Sequence, residues 1–352
     1  MASESLITAV LGLHDRGRDL LKAAAATGCF QIRAVADQDQ QRAEKTAGEY
    51  KCEAYGDYRQ LIVQNQFDCL LVAADIHTCA EYLKAGLRKR FHVLKLAPPA
   101  RTFEEWLELV QIAQSEGVSL AVANPARFHG SYAAAHDLMA RGAVEHASLV
   151  TASCRIGAAD RPAWRSDPKL AGGGVLLHEC YAVVDQILWS FPLPQQVYAL
   201  MTNQAPDKQQ RLYLTEDTAV VCMRFADDLL VNLVAARHDG PEADTAGLDI
   251  HGKEARLVVT EREIVIERHE EHHRQTWPGD ENEQVVLERL LTSFARSLLA
   301  PDEHPLASSG AENLRTMAVL AAAYLSARTG FPEEPARILQ LAGGLAAGTT
   351  DI

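Results

Sequence analysis

No C-x-x-C pair occurs in this chain. Its seven cysteines, Cys29, Cys52, Cys69, Cys79, Cys154, Cys180 and Cys222, are scattered and odd in number. They form no disulfide framework on paper and are expected to be free thiols in a reducing cytoplasm. Long apolar runs are also missing: nothing reaches the ~18 uninterrupted apolar residues of a membrane span, so no membrane partner is expected. Positive charge is short. There are 34 Lys and Arg against 47 Asp and Glu, a formal charge of −13. Nucleic-acid binding needs a basic face, so nucleic acid is not an expected partner. Residues 1–12 lack a basic stretch before their apolar run, and no signal peptide is expected. Internal repeats and low-complexity tracts are absent as well. What is present is 352 residues, 47% hydrophobic and 23% charged. That length suffices for two domains, each with its own core.

The first third alternates short apolar runs with helical patterns. Strands are expected at 6–12, 30–37, 69–74, 92–96 and 119–124. Helices are expected at 16–27, 39–50, 58–65, 78–89 and 103–116. Near-continuous apolar strands with intervening helices predict a parallel sheet covered on both faces. After residue 124 the texture changes. Helices are expected at 131–141 and within 170–190. Strands follow at 147–154, 197–202, 218–225, 229–236, 246–251, 256–260 and 264–267, with Asp227-Asp228 as a hairpin turn. Helices at 281–299 and 311–327 close the chain. The expected architecture is an α/β Rossmann-type domain, 1–124, followed by an α+β domain with an open antiparallel sheet, 125–352.

Gly12-Leu13-His14-Asp15-Arg16-Gly17 lies between the first strand and first helix, the place of a dinucleotide fingerprint. In G-x-G-x-x-G the first glycine makes the tight turn and the second admits the pyrophosphate. The third allows close packing of helix on strand. Here the first and third are kept, and His14 takes the second. Asp37 stands twenty residues after Gly17 (37 − 17). That is where an acid holds the ribose 2′-hydroxyl and disfavours a 2′-phosphate. The plainer reading has the glycines shaping a turn and Asp37 capping a helix. The expected cofactor is NAD, its affinity weakened or lost through His14.

Several segments recur in the order of one family. Gly172-Gly173-Gly174 opens a run ending His178-Glu179-Cys180-Tyr181-Ala182-Val183-Val184-Asp185. Tyr55-Gly56-Asp57-Tyr58, the stretch Ala73-Ala74-Asp75-Ile76-His77, Asn124-Pro125-Ala126-Arg127-Phe128 and Trp164-Arg165-Ser166-Asp167-Pro168 accompany it. Together they resemble the glucose–fructose oxidoreductase / inositol dehydrogenase / rhizopine-catabolism (Gfo/Idh/MocA) family. That resemblance implies NAD-dependent oxidation of a sugar, cyclitol or related polyol. It implies Gly12, His14, Gly17, Asp37, Ala74, His77 and Pro98 around the cofactor. It also implies Arg127, Trp164, Arg165, Tyr181 and Asp185 in the cleft for a small polyol-like ligand. A homo-dimer or tetramer formed through the C-terminal sheet follows from the same likeness.

The family's catalytic positions are altered. Its V-L-x-E-K-P reads Val93-Leu94-Lys95-Leu96-Ala97-Pro98, so Ala97 replaces the lysine. In the glycine segment Ala182 replaces the histidine and His178 the first acid. General acid–base help is typically worth about 10²–10⁴ in rate, and an alanine has no proton to exchange. Two substitutes are open. His178, four residues before Ala182, would share its helix face. Lys95, two before Ala97, would share its strand face. Alternatively His178 fills space and Lys95 snorkels at a strand end. The alternative function is a catalytically inactive relative serving as a ligand-sensing or partner subunit.

His269-Glu270-Glu271-His272-His273 matches H-E-x-x-H. The zinc motif requires a helix that puts both histidines on one face. The flanks read as strand and turn, so no metal site is expected there.

Overall fold

The computed structural model describes residues 5–157, 162–204, 214–238, 244–268, 272–276 and 282–340. The chain divides into two units. The first holds a six-stranded sheet of β1 (Leu6–Leu11), β2 (Phe30–Ala36), β3 (Glu53–Tyr55), β4 (Cys69–Val72), β5 (His92–Leu96) and β6 (Leu120–Ala123). Its order is β3-β2-β1-β4-β5-β6, with every neighbouring pair parallel. The covering helices are α1 (Asp15–Thr27), α2 (Gln40–Tyr50), α3 (Tyr58–Gln64), α4 (Ile76–Arg88) and α5 (Phe103–Glu116). All four residues of β4 are buried, as a strand covered on both faces requires. Gly28 and Gly117 stop α1 and α5 in the left-handed region at φ 69° and 67°. β3 was not expected: one exposed and two half-exposed residues carry no apolar run for pattern reading to detect.

The second unit begins with α6 (Gly130–Ala140) and β7 (Leu149–Gly157). Three helices follow: α7 (Pro168–Ala171), α8 (Val175–His178) and α9 (Tyr181–Ser190). Then come β8 (Gln196–Thr202), β9 (Thr218–Arg224), β10 (Leu230–His238), β11 (Thr245–His251), β12 (Ala255–Thr260), β13 (Glu263–Arg268) and β14 (His272–Thr276). These strands form one sheet ordered β14-β13-β12-β11-β7-β10-β9-β8. It is mixed rather than wholly antiparallel, because β10 pairs parallel to β7 from Leu230↔Leu149 to His238↔Gly157. The helices between β7 and β8 supply the long crossover such a pair needs. Asp227 and Asp228, at φ 54° and 59°, make the expected hairpin turn joining β9 to β10.

The chain then returns to the first unit. Asn282–Asn313 belongs with Met1–Phe128, so the contiguous division expected at residue 124 is replaced by one with a return. The reason is α10 (Glu283–Leu299), whose Leu287, Leu290, Leu291 and Phe294 join Leu20, Leu21, Val10 and Leu71 in one core cluster. α11 (Gly310–Thr329) and α12 (Pro335–Gln340) end the described chain. His272 and His273 lie in β14, paired opposite Glu267 and Ile266, where the zinc motif would need helix. His269, Glu270 and Glu271 lie outside the described residues.

Candidate functional site

The glycine loop after β1 is shaped by contacts that no side chain would permit. Gly12 has φ 85°, and a Cβ there would overlap the backbone of Ala73 and Ala74 after β4. A Cβ on Gly17 would overlap the Gly12 carbonyl, so the third glycine brings α1 against the turn. These are the roles the fingerprint assigns. His14 is the N-cap of α1 at φ −66° and ψ −178°, an extended conformation open to any residue. Its Nε2 lies 3.8 Å from Asp75 Oδ1 on the loop after β4. His14 makes no side-chain cap, so its side chain satisfies none of the first-turn N–H groups. The cradle fits a pyrophosphate on those groups, with His14 adding bulk at its rim.

Asp37 follows β2 and is 5% exposed. It accepts hydrogen bonds from Leu13 N–H at 2.6 Å and Asp39 N–H at 2.9 Å. It thereby ties the glycine loop to the entry of α2. The helix cap is a different acid: Asp39 accepts from Arg42 N–H at 3.1 Å.

At the carboxyl end of β5, Lys95 is 3% exposed. Its Nζ donates to the Leu96 carbonyl at 2.9 Å. Burial pushes its pKa down; the nearby Cys79 and Asp75 act upward, and Arg16 downward. It is therefore buried and hydrogen-bonded rather than snorkelling at the strand end. Arg16 Nη1 reaches the Ala97 carbonyl at 3.4 Å, and the Ala97–Pro98 peptide is cis. His77, in the first turn of α4, has its pKa lowered by partial burial and by Arg101, against an upward pull from Asp75. Arg127, also in the first unit, is nearly buried and pairs with Glu312 at 3.6 Å.

In the second unit two of the three glycines, Gly173 and Gly174, are explained by a tyrosine and an acid the sequence did not reveal. Glu216 accepts from Gly174 N–H at 2.6 Å, Leu176 N–H at 3.0 Å and the Tyr324 hydroxyl at 2.8 Å. A Cβ on Gly174 would overlap the Glu216 carbonyl, and one on Gly173 the Tyr324 hydroxyl. Burial pushes Glu216 upward against these three donors. Its signal in the sequence is weak, a lone Glu-Asp before a strand. Its partners lie about 40 and 108 residues away.

α8 and α9 are separate. The Cys180 N–H bonds to the Val175 carbonyl, and Val184 N–H to the Cys180 carbonyl, so the helical ladder restarts at Tyr181. The expectation that His178 and Ala182 lie one turn apart on one helix face is therefore corrected. His178 is 8% exposed. Its Nε2 lies 2.9 Å from the Ala171 carbonyl. A carbonyl only accepts, so Nε2 is the donor in this bond. Trp164 meets the His178 ring edge-on at 5.7 Å. Arg165 lies over Trp164 and pairs with Glu179 at 2.7 Å. Tyr181 and Asp185 are fully buried, and Thr316 donates to Asp185 at 3.4 Å. In this structure these two offer a ligand no surface.

A parallel Rossmann sheet bearing a dinucleotide-type glycine loop, with a separate mixed sheet, defines a two-part protein of the dinucleotide-binding class. The family model described as "Oxidoreductase family, NAD-binding Rossmann fold" matches residues 7–124, and the GFO/IDH/MocA C-terminal domain matches 132–258. The chain belongs to the Gfo/Idh/MocA family. It is 30% identical over 199 residues to D-xylose 1-dehydrogenase (NADP(+)) 2 of Haloferax volcanii, covering 55% of this chain and 60% of that one. It is 28% identical over 161 residues to dTDP-3,4-didehydro-2,6-dideoxy-alpha-D-glucose 3-reductase of Streptomyces violaceoruber, covering 45% and 46%. The chain thus spans about half the length of the curated relatives it matches. Levoglucosan dehydrogenase in complex with NADH and levoglucosan shares its fold at TM-score 0.83 and 18% identity, over 94% of this chain and 99% of that one.

Proposed function

We propose that this chain is an NAD(P)-linked oxidoreductase of a sugar, cyclitol or related polyol, with its proton-transfer groups altered. The observation that carries the reading is the glycine cradle, where Gly12 and Gly17 occupy positions no Cβ can enter. The sugar class is supported by the xylose and levoglucosan activities in the names of similar proteins. NAD(P), when bound, exchanges the hydride. The chain must then hold or accept the hydroxyl proton, which Ala97 and Ala182 cannot do. The His178 imidazole is the group we assign to that task, with the Ala171 carbonyl orienting its ring. Trp164 and Arg165 then border the ligand, and the Arg165–Glu179 pair fixes the guanidinium.

A second reading, a ligand-sensing or partner subunit, is favoured by one observation. Both substitutes, Lys95 and His178, are already hydrogen-bonded to backbone carbonyls, of Leu96 and Ala171. One experiment separates the two. NADH formation is measured with a panel of sugars and cyclitols for the wild type, for His178→Ala, and for the triple variant Ala97→Lys, His178→Asp, Ala182→His. The three positions are changed together because catalytic groups acting as a unit are strongly non-additive. Wild-type turnover lost in His178→Ala supports the enzyme with His178 as its base. An inert wild type with an active triple variant supports the second reading, as does inertness of both with nucleotide bound.

We further propose that the chain forms a homo-dimer or tetramer through the open face of its eight-stranded sheet. Tyr198, Leu200, Val220, Leu230 and Leu149 are exposed on alternate positions of β7 to β10. An apolar sheet face of this kind calls for cover.

A further inference from the structure

Asp37 is not free to serve a ribose. Its two oxygens already receive four hydrogen bonds. Leu13 N–H reaches Oδ2 at 2.6 Å and Asp39 N–H reaches Oδ1 at 2.9 Å. Arg42 Nη1 sits between both oxygens at 3.2 and 3.3 Å. A carboxylate has about four lone-pair sites, so the chain itself fills this one. The two backbone donors belong to the glycine loop and to the turn into α2, and neither leaves without remaking those turns. Arg42 differs. Its side chain is 42% exposed, and its Nη2 also reaches Asp39 Oδ2 at 3.4 Å. Of the three donor residues, it alone can be displaced by rotating a side chain.

We propose that Arg42 sets the cofactor choice of this chain. Held against Asp37, it occupies the oxygens that the ribose hydroxyls of NAD would use. Turned toward solvent, it offers a forked guanidinium to the 2′-phosphate of NADP. The inference rests on the NAD(P)-binding reading above. An unpaired Asp37 would repel a 2′-phosphate by like charge. Paired with Arg42 it presents little net charge, and a guanidinium binds phosphate through two parallel hydrogen bonds. NAD, for its part, must pull Arg42 away before reaching Asp37. Because the pair is partly exposed, that displacement is worth only a several-fold loss. The chain therefore accepts both cofactors, with dissociation constants within about tenfold of each other.

Calorimetric titration of the full chain with NADH, NADPH, 5′-AMP and adenosine 2′,5′-bisphosphate tests this. Wild type, Arg42→Ala and Arg42→Lys are compared after their melts are checked. Arg42→Ala should shift the NADH-to-NADPH ratio toward NADH by about tenfold or more, weakening the bisphosphate while sparing or tightening 5′-AMP. Arg42→Lys keeps the charge without the fork and should fall between. If Arg42→Ala does not fold, Arg42→Lys carries the comparison. An equal loss of all four ligands in the variants overturns the inference, because it marks a structural role in α2. A wild-type preference for NADH well beyond about tenfold, or one unchanged by the variants, overturns it too while leaving the NAD-binding reading intact. Failure of the wild type to bind any of the four ligands removes both.

Discussion

Lys95 brings an amine into the carboxyl edge of a parallel sheet and gives it one hydrogen bond, to the Leu96 carbonyl. Burial lowers its pKa, with Cys79 and Asp75 pulling up and Arg16 pulling down. The unfolded chain therefore binds that proton more readily than the folded one. The resulting destabilisation is full below the lowered folded-state pKa and is relieved as pH rises toward about 10.4. Lys95→Met fills similar space without the charge. It should raise the melting temperature at pH 7, and the gain should shrink as pH rises to 10. A lower melting temperature at every pH would show the amine to be stabilising. Strand alternation put Lys95 on the Ala97 face, but whether its chain reached water depended on neighbours from α1 and α4.

At the scale of elements, the segment 172–190 is held by a residue from elsewhere. Glu216 receives two N–H groups at the start of α8 and the Tyr324 hydroxyl of α11. Leaving buried donors without an acceptor costs about 1–3 kcal/mol each. Glu216→Ala should therefore destabilise the chain by about 3 kcal/mol or more in denaturant unfolding. A loss below about 1 kcal/mol would mean that water replaces the carboxylate. The triple glycine was legible as a motif, while the cause of Gly173 and Gly174 was not, because Tyr324 and Glu216, which crowd them, come from other segments. The break between α8 and α9 was hidden for a similar reason. Residues 175–190 read as one apolar helical stretch, and the restart is set by where the Cys180 N–H finds its acceptor.

At the scale of the whole molecule, the open sheet face bears on assembly. Leu200 and Leu230 are 61% and 51% exposed on β8 and β10. Light scattering after size exclusion should give the mass of a dimer or tetramer for the wild type. Leu200→Glu with Leu230→Glu should shift it toward the monomer, since two buried charges without partners oppose association. A monomeric wild type sinks the assembly proposal. The same scale holds the chain's return. Residues 282–313 join a core laid down before residue 128, and the helical pattern of α10 names its buried stripe without naming the sheet it covers.

Periodicity and glycine placement, which are local, determined the parallel sheet, most helix limits, the Asp227-Asp228 hairpin and the cofactor-type loop at Gly12 and Gly17. The family followed from motif order. Tertiary structure alone decided what depends on contacts between distant segments. These are the parallel pairing of β7 with β10, the return of α10 and the Glu216 anchor beneath the triple glycine. The occupation of Asp37 by Arg42 belongs with them, although only five residues separate the two. The reason is physical. A hydrophobic period states which face is buried, but a charged or hydrogen-bonding side chain takes its partner from whatever the folded chain brings within about 3 Å.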